Sequence, residues 1–154
     1  MYSGLLHTHN FMRWVVLALA IYAGVRYLIG WQQNKNFTRG DDSVGLMFIA
    51  AMHTQLLIGL VLYFFLSPIT KAFFESEGAM GDRVLRFWGV EHILAMVVAV
   101  ALAQVGRTLS KKSQVHRLKF KRGAIFYLLA LLIMLAMIPW PFLEDIGRPW
   151  FPGM

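Results

Sequence analysis

Two long apolar stretches each carry a histidine: residues 44–66 hold His53 within MHTQLLIGL, and residues 84–105 hold His92 within RFWGVEHILAM. A titratable ring inside hydrocarbon costs free energy unless something binds it, which makes both rings candidate functional groups. His7 and His9 stand in HTHNFMRW at the mouth of another apolar stretch, while His116 sits among lysines and is expected to be merely solvated. A neutral imidazole offers one nitrogen as ligand or acceptor and the other as donor. Imidazoles on facing membrane helices therefore ligate haem iron, hold quinones, bind metals or relay protons. Gln55 is placed to bond across helices, or to orient a ligand histidine through its free ring nitrogen. Glu91, beside His92, is expected to pair with Arg13 or Arg86, or to sit next to a quinone.

A b-type haem is apolar over most of its area and takes one or two axial imidazoles from the helices of a bundle. Its propionates need cations, and Arg13, Arg83 and Arg86 are available near one face. Cysteine is absent, which excludes disulfides, iron–sulfur clusters, thiolate zinc sites and haem attached through C-x-x-C-H. Three arrangements of the histidines stay open. His53 can pair with His92 across an offset of roughly 8 Å along upright helices. His9 can pair with His92 at a similar offset. All three can serve together, with two haems or with one haem and a quinone.

The elements that position these rings follow from composition. The chain has 154 residues, of which 58% are hydrophobic and 15% charged, and its mean hydropathy is +0.56. An ordinary soluble domain has about a quarter of its residues charged. This is the composition of an integral membrane protein. Four segments, at approximately 6–31, 44–66, 84–106 and 120–138, are long enough to cross a hydrocarbon layer of roughly 30 Å. They predict one all-α domain, a transmembrane four-helix bundle. Asp41, Asp42 and Ser43 offer N-cap chemistry for the second helix. Trp88, His92, Ala95 and Ala99 share a face of the third, so His92 is expected to point inward. Residues 67–83 read as a short amphipathic turn. Pro139, Trp140 and Pro141 stop the fourth helix, and a tail broken by Gly147, Pro149 and Pro152 is expected to lie along the surface.

The net charge of +7 does not imply nucleic acid, because of where it lies. Seven basic residues (Arg107, Lys111, Lys112, Arg117, Lys119, Lys121 and Arg122) occupy the third connection without one acid, as a cytoplasmic loop does. Ten of the fifteen Lys and Arg fall on that side, so both termini are expected on the non-cytoplasmic side. The start lacks a basic n-region and a cleavage site and reads as a mature N-terminus.

The blocks HTHNFMRW, MHTQLLIGLVLYF, RFWGVEH and IPWPF resemble small bacterial four-helix membrane proteins labelled cytochrome b-like, and the histidine-bearing helices are distantly similar to the bundles of haem A synthase. The resemblance implies non-covalent haem b held by candidates His9, His53 and His92. The expected function is a haem b-binding electron-transfer subunit of the bacterial inner membrane, exchanging electrons between quinol and a larger respiratory partner. Its expected surroundings are the lipid bilayer and other membrane subunits or further copies of itself, with no nucleic acid. The alternatives are a haem-free accessory subunit of a membrane complex, or a quinone- or metal-handling membrane protein. The expected cofactor-binding residues are His53, His92, His9, Arg13, Arg86 and Gln55, and the expected iron ligands are His53 and His92, with His9 as substitute.

Overall fold

The computed structural model describes residues 1–151 and is all-helical. The long helix α1 (Tyr2–Gln32) is followed by α2 (Arg39–Leu66) and the short α3 (Pro68–Glu75). Then come α4 (Arg83–Lys112) and α5 (His116–Met137). All but α3 are long and apolar enough to cross a membrane. α1 packs on α2 and α5, and α4 packs on the same two, which closes a four-helix bundle with the N-terminus and the end of α5 at one end.

The helices start before the expected apolar limits, and the first and third also end beyond them: 2–32 against 6–31, 39–66 against 44–66, 83–112 against 84–106, and 116–137 against 120–138. Hydropathy ends at an interface, whereas the hydrogen-bond ladder continues until a cap stops it. For α2 the cap is Thr38, not Asp41, Asp42 or Ser43. The Thr38 hydroxyl accepts from the Asp41 backbone N–H at 3.3 Å, and the Asp41 carboxylate accepts from the Thr38 N–H at 2.7 Å, a reciprocal capping box.

The third connection shrinks to residues 113–115, and its basic residues ride on the ends of α4 and α5. Arg107 is not in a connection at all. It is buried inside α4 and donates to the Asp42 carboxylate across the bundle. Nor is His116 merely solvated, since its Nδ1 accepts from the Phe37 N–H at 2.7 Å.

The core of this basic end is close-packed. Tyr27, Phe48, Phe120 and Tyr127 are almost wholly buried, and the helices approach over Ala20, Ala23, Ala99, Ala103, Ala124 and Ala130, all at 0% exposure. Small residues at a crossing let backbones come close, and Ala99 is on the face of the third span expected to point inward.

The opposite end is built differently. α2 and α4 each contain one π-helical turn, Leu62–Leu66 and Phe87–Glu91. The Tyr63 hydroxyl donates to the Gly89 carbonyl at 2.7 Å and ties the two turns together. α3 lies across them, capped by the Ser67 hydroxyl, with the Phe73 ring filling the space a side chain at Gly89 would need. After Met137 the tail folds back over α1. Arg148 N–H donates to the Pro139 carbonyl at 3.0 Å, and the Trp14 indole donates to the Trp150 carbonyl at 2.8 Å. The tail is thus a strap, and the expected break at Pro152 lies outside the described residues.

Two ion pairs give a test of this packing. Asp42→Ala strands the buried Arg107 guanidinium. Breaking a fully buried pair costs about 3–5 kcal/mol, and partial exposure of Asp42 brings the expectation to roughly 2 kcal/mol. The thermal midpoint in detergent is expected to fall by about 5 °C. Lys71→Ala, which breaks a pair whose side chains are 74% and 66% exposed, leaves it unchanged.

Candidate functional site

A cavity of about 130 Å³ lies between α1, α2, α4 and α5 at the end of the bundle that holds the termini. Its lining runs from Tyr2 to Leu17 on α1 and from Trp88 to Val100 on α4. At 1.5 Å per residue these are lengths of about 22 and 18 Å. So small a volume spread over such a length is a narrow slot. Val16, Met52, Met96, Val100 and Met134 make its inner end apolar, and Ser67, Ile69 and Thr70 at the start of α3 roof the other.

His92 lines the slot, with its Nδ1 3.0 Å from the backbone carbonyl of Met137. A carbonyl can only accept, so the proton is assigned to Nδ1 and the Nε2 lone pair is left free. Met137 closes α5, and the carbonyls of a last helical turn lack intrahelical partners. One hydrogen bond therefore satisfies a helix end and fixes an imidazole tautomer. The rings of Phe87 and Trp88, centred 5.8 and 5.5 Å away, hold the imidazole in place. The π turn immediately before His92 sets its direction by adding a residue to the preceding turn.

His9 lines the slot from α1 and packs against Gly59 of α2, where an added Cβ would sit 3.1 Å from the imidazole Cε1. Gln55 also faces the slot, and its Nε2 donates to the His9 backbone carbonyl at 2.9 Å. It supports a histidine as expected, but through the backbone rather than a ring nitrogen.

Arg13, four residues after His9 on the same face, is 7% exposed. Its Nη2 donates to the carbonyls of Pro149 and Trp150 in the strap, at 3.1 and 3.2 Å. Arg148 enters from the strap, its guanidinium 4.7 Å from the centre of the Trp88 ring.

Seven side-chain nitrogen and oxygen atoms among the described residues are buried without a partner, and five belong to this slot: His9 Nδ1, Arg13 Nε and Nη1, Gln55 Oε1 and Arg148 Nε. An orphaned buried polar atom costs about 1–3 kcal/mol. These five are gathered on the lining of this one cavity.

The remaining expected site residues lie elsewhere. His53 is not brought to His92. It lies on the exposed face of α2 in line with Leu46 and Leu57, while Met52, Gln55, Leu56 and Gly59 form the stripe that faces the slot. One residue of helix is about 100°, and that rotation separates His53 from Met52. Arg86 does not line the slot either, because its Nε donates to the Glu91 carboxylate at 2.7 Å and its Nη1 to the Met80 carbonyl at 3.0 Å. Glu91 is thereby paired with Arg86, one of the two partners expected. Arg83 and His7 are exposed.

Two contributors, Arg148 and the Met137 carbonyl, had no signal in the sequence beyond a tail that turns back at Pro139 and Pro141. Among the described residues no three His, Asp or Glu gather as a bare-ion site, whereas a haem iron takes only one or two protein ligands. No family model, curated protein or solved structure matches the chain.

Gly59→Val drives a branched side chain into the His9 ring and is expected to lower the thermal midpoint, with an overpacking cost of about 1–3 kcal/mol. Gly4→Val, at a position with nothing within 4 Å of an added Cβ, leaves the midpoint where it was.

Proposed function

We propose that the chain is a haem b-binding membrane electron-transfer subunit, in which His92 and His9 are the residues that would hold the iron. The observation that carries this reading is the His92 Nδ1 contact with the Met137 carbonyl, which leaves Nε2 free to bind metal in the slot. A ligand histidine commonly donates its other N–H to a carbonyl or carboxylate, which raises its basicity and fixes its ring. His9 reaches the same slot from the opposite helix and has a buried ring nitrogen without a partner. His53 has no part in this assignment.

Bound haem b supplies one-electron redox chemistry. The two imidazoles would hold it, and the apolar lining of the slot would exclude water and so tune its potential. Met52, Met96 and Met134 line the narrow part of the slot, and methionine's unbranched thioether adapts readily to an irregular guest. An electron carrier needs a donor and an acceptor, and a lipid-soluble quinol and a larger respiratory subunit are the expected pair. The basic end of the bundle supports placing it in the cytoplasm and both termini outside, in a bacterial inner membrane.

The slot's small volume favours a second reading. At roughly 10–15 Å³ for each water-sized probe, 130 Å³ admits about ten such probes, which suits a quinone head group between His9 and His92 without any repacking.

A spectrum separates the two. Under the haem reading, purified protein shows a Soret band and a pyridine haemochrome of b type. His92→Ala and His9→Ala lose or shift the band, and His53→Ala retains it. A wild-type spectrum in either of the first two variants removes that histidine from the ligand set. Protein devoid of haem that is stabilised by a short-chain quinone favours the second reading.

A further inference from the structure

We infer that the strap end of the slot is a carboxylate-binding subsite made by Arg13 and Arg148, where the cofactor's two propionates dock. This rests on the haem reading, and its failure can be told apart from failure of that reading.

The starting point is an electrostatic imbalance. Arg13 is 7% exposed, and only its Nη2 has partners, both of them backbone carbonyls of the strap. Its Nε and Nη1, and Nε of Arg148, are buried with none. No Asp or Glu lines the slot. Among the described residues the ion pairs are Arg26–Asp41, Lys71–Glu75, Arg86–Glu91 and Arg107–Asp42, so neither slot arginine has a carboxylate. Arginine does not shed its proton to escape burial, as lysine or histidine can. A buried guanidinium without a counter-charge is strongly destabilising, so the missing anion is expected to arrive with the ligand.

The donors that remain free define its shape. Arg13 offers Nε and Nη1, which lie on separate edges of the guanidinium on either side of the occupied Nη2, so each can donate to its own acidic oxygen. Arg148 adds a second cation from the strap, stacked on Trp88. Two cations suit a ligand with two acidic groups, which haem b has and a quinone lacks. A lipid phosphate is the other source of such oxygens.

The strap gains a purpose from this. Arg13 grips it through Nη2 and would grip the anion through its other nitrogens, so the bound acid groups couple the strap to α1.

Apo-protein is titrated with protohaem and with protohaem dimethyl ester, whose carboxylates are blocked, and binding is followed by absorbance. Protohaem is expected to bind at least tenfold more tightly. Arg148→Gln and Arg13→Gln are expected to lower protohaem affinity by a similar factor while leaving the ester's unchanged. Arg86→Gln, whose side chain is engaged with Glu91, keeps the wild-type preference. Arg148→Gln is the safer variant, because the strap contact of that residue is made by its backbone N–H.

Equal binding of acid and ester overturns the subsite and leaves the haem reading standing. Loss of protohaem binding in phosphatidylglycerol vesicles but not in phosphatidylcholine vesicles assigns the arginines to a net-anionic lipid headgroup, and also overturns it. Binding of neither haem overturns both readings.

Discussion

The functional end of the bundle depends on the hydrogen bond between His92 and the last carbonyl of α5. It joins two helices, satisfies a backbone acceptor that the helix leaves open, and decides which imidazole nitrogen faces the slot. Removing it would free the end of α5, from which the strap departs, and would let the ring choose its own tautomer. Structural and chemical demands meet in one contact. A histidine that only packed would not need its second nitrogen kept free.

The two ends of the molecule meet the demands of an apolar medium in opposite ways. At the basic end every charge brought inside is neutralised within the chain: Arg107 by Asp42, and Asp41 by Arg26 and the α2 cap. Alanine crossings and buried aromatic rings close-pack the core there. At the other end two π turns and a glycine facing His9 interrupt regular packing, and the polar atoms brought inside outnumber the partners supplied. Close packing is stable, whereas buried donors without partners cost free energy. The division of labour along the bundle axis is therefore energetic as well as geometric.

How much of this was legible in the sequence can be argued from particular residues. The four long helices were, because an unbroken apolar run of that length has few other uses. Their ends were not, since Thr38 and Asp41 set the start of α2 by hydrogen bonding, outside the reach of hydropathy. His92 was legible through its spacing from Trp88 and Ala99. His53 misled because α2 is apolar on every side, with Leu46 and Leu57 on the face turned outward and Met52 and Ile49 on the face turned inward. A helix in lipid has no polar face to reveal its buried one, so a one-residue difference of phase is invisible. Arg86 misled for a simpler reason: proximity in sequence to His92 also placed it near Glu91, and the acid took it.

Arg13 shows why accounting for partners reaches further than motif reading. Its position in the sequence alone would fit an arginine snorkelling to an interface near Trp14. Burial to 7% exposure rules that out, and two strap carbonyls explain only one of its nitrogens. Carbonyl oxygens supply dipoles, not a counter-charge, so the positive charge stays unbalanced where water has been removed. Histidines alone would admit haem, quinone or a bare ion to this slot. In the proposed reading the two arginines, without a paired acid among the described residues, favour a guest that is apolar along most of its length and anionic at one end.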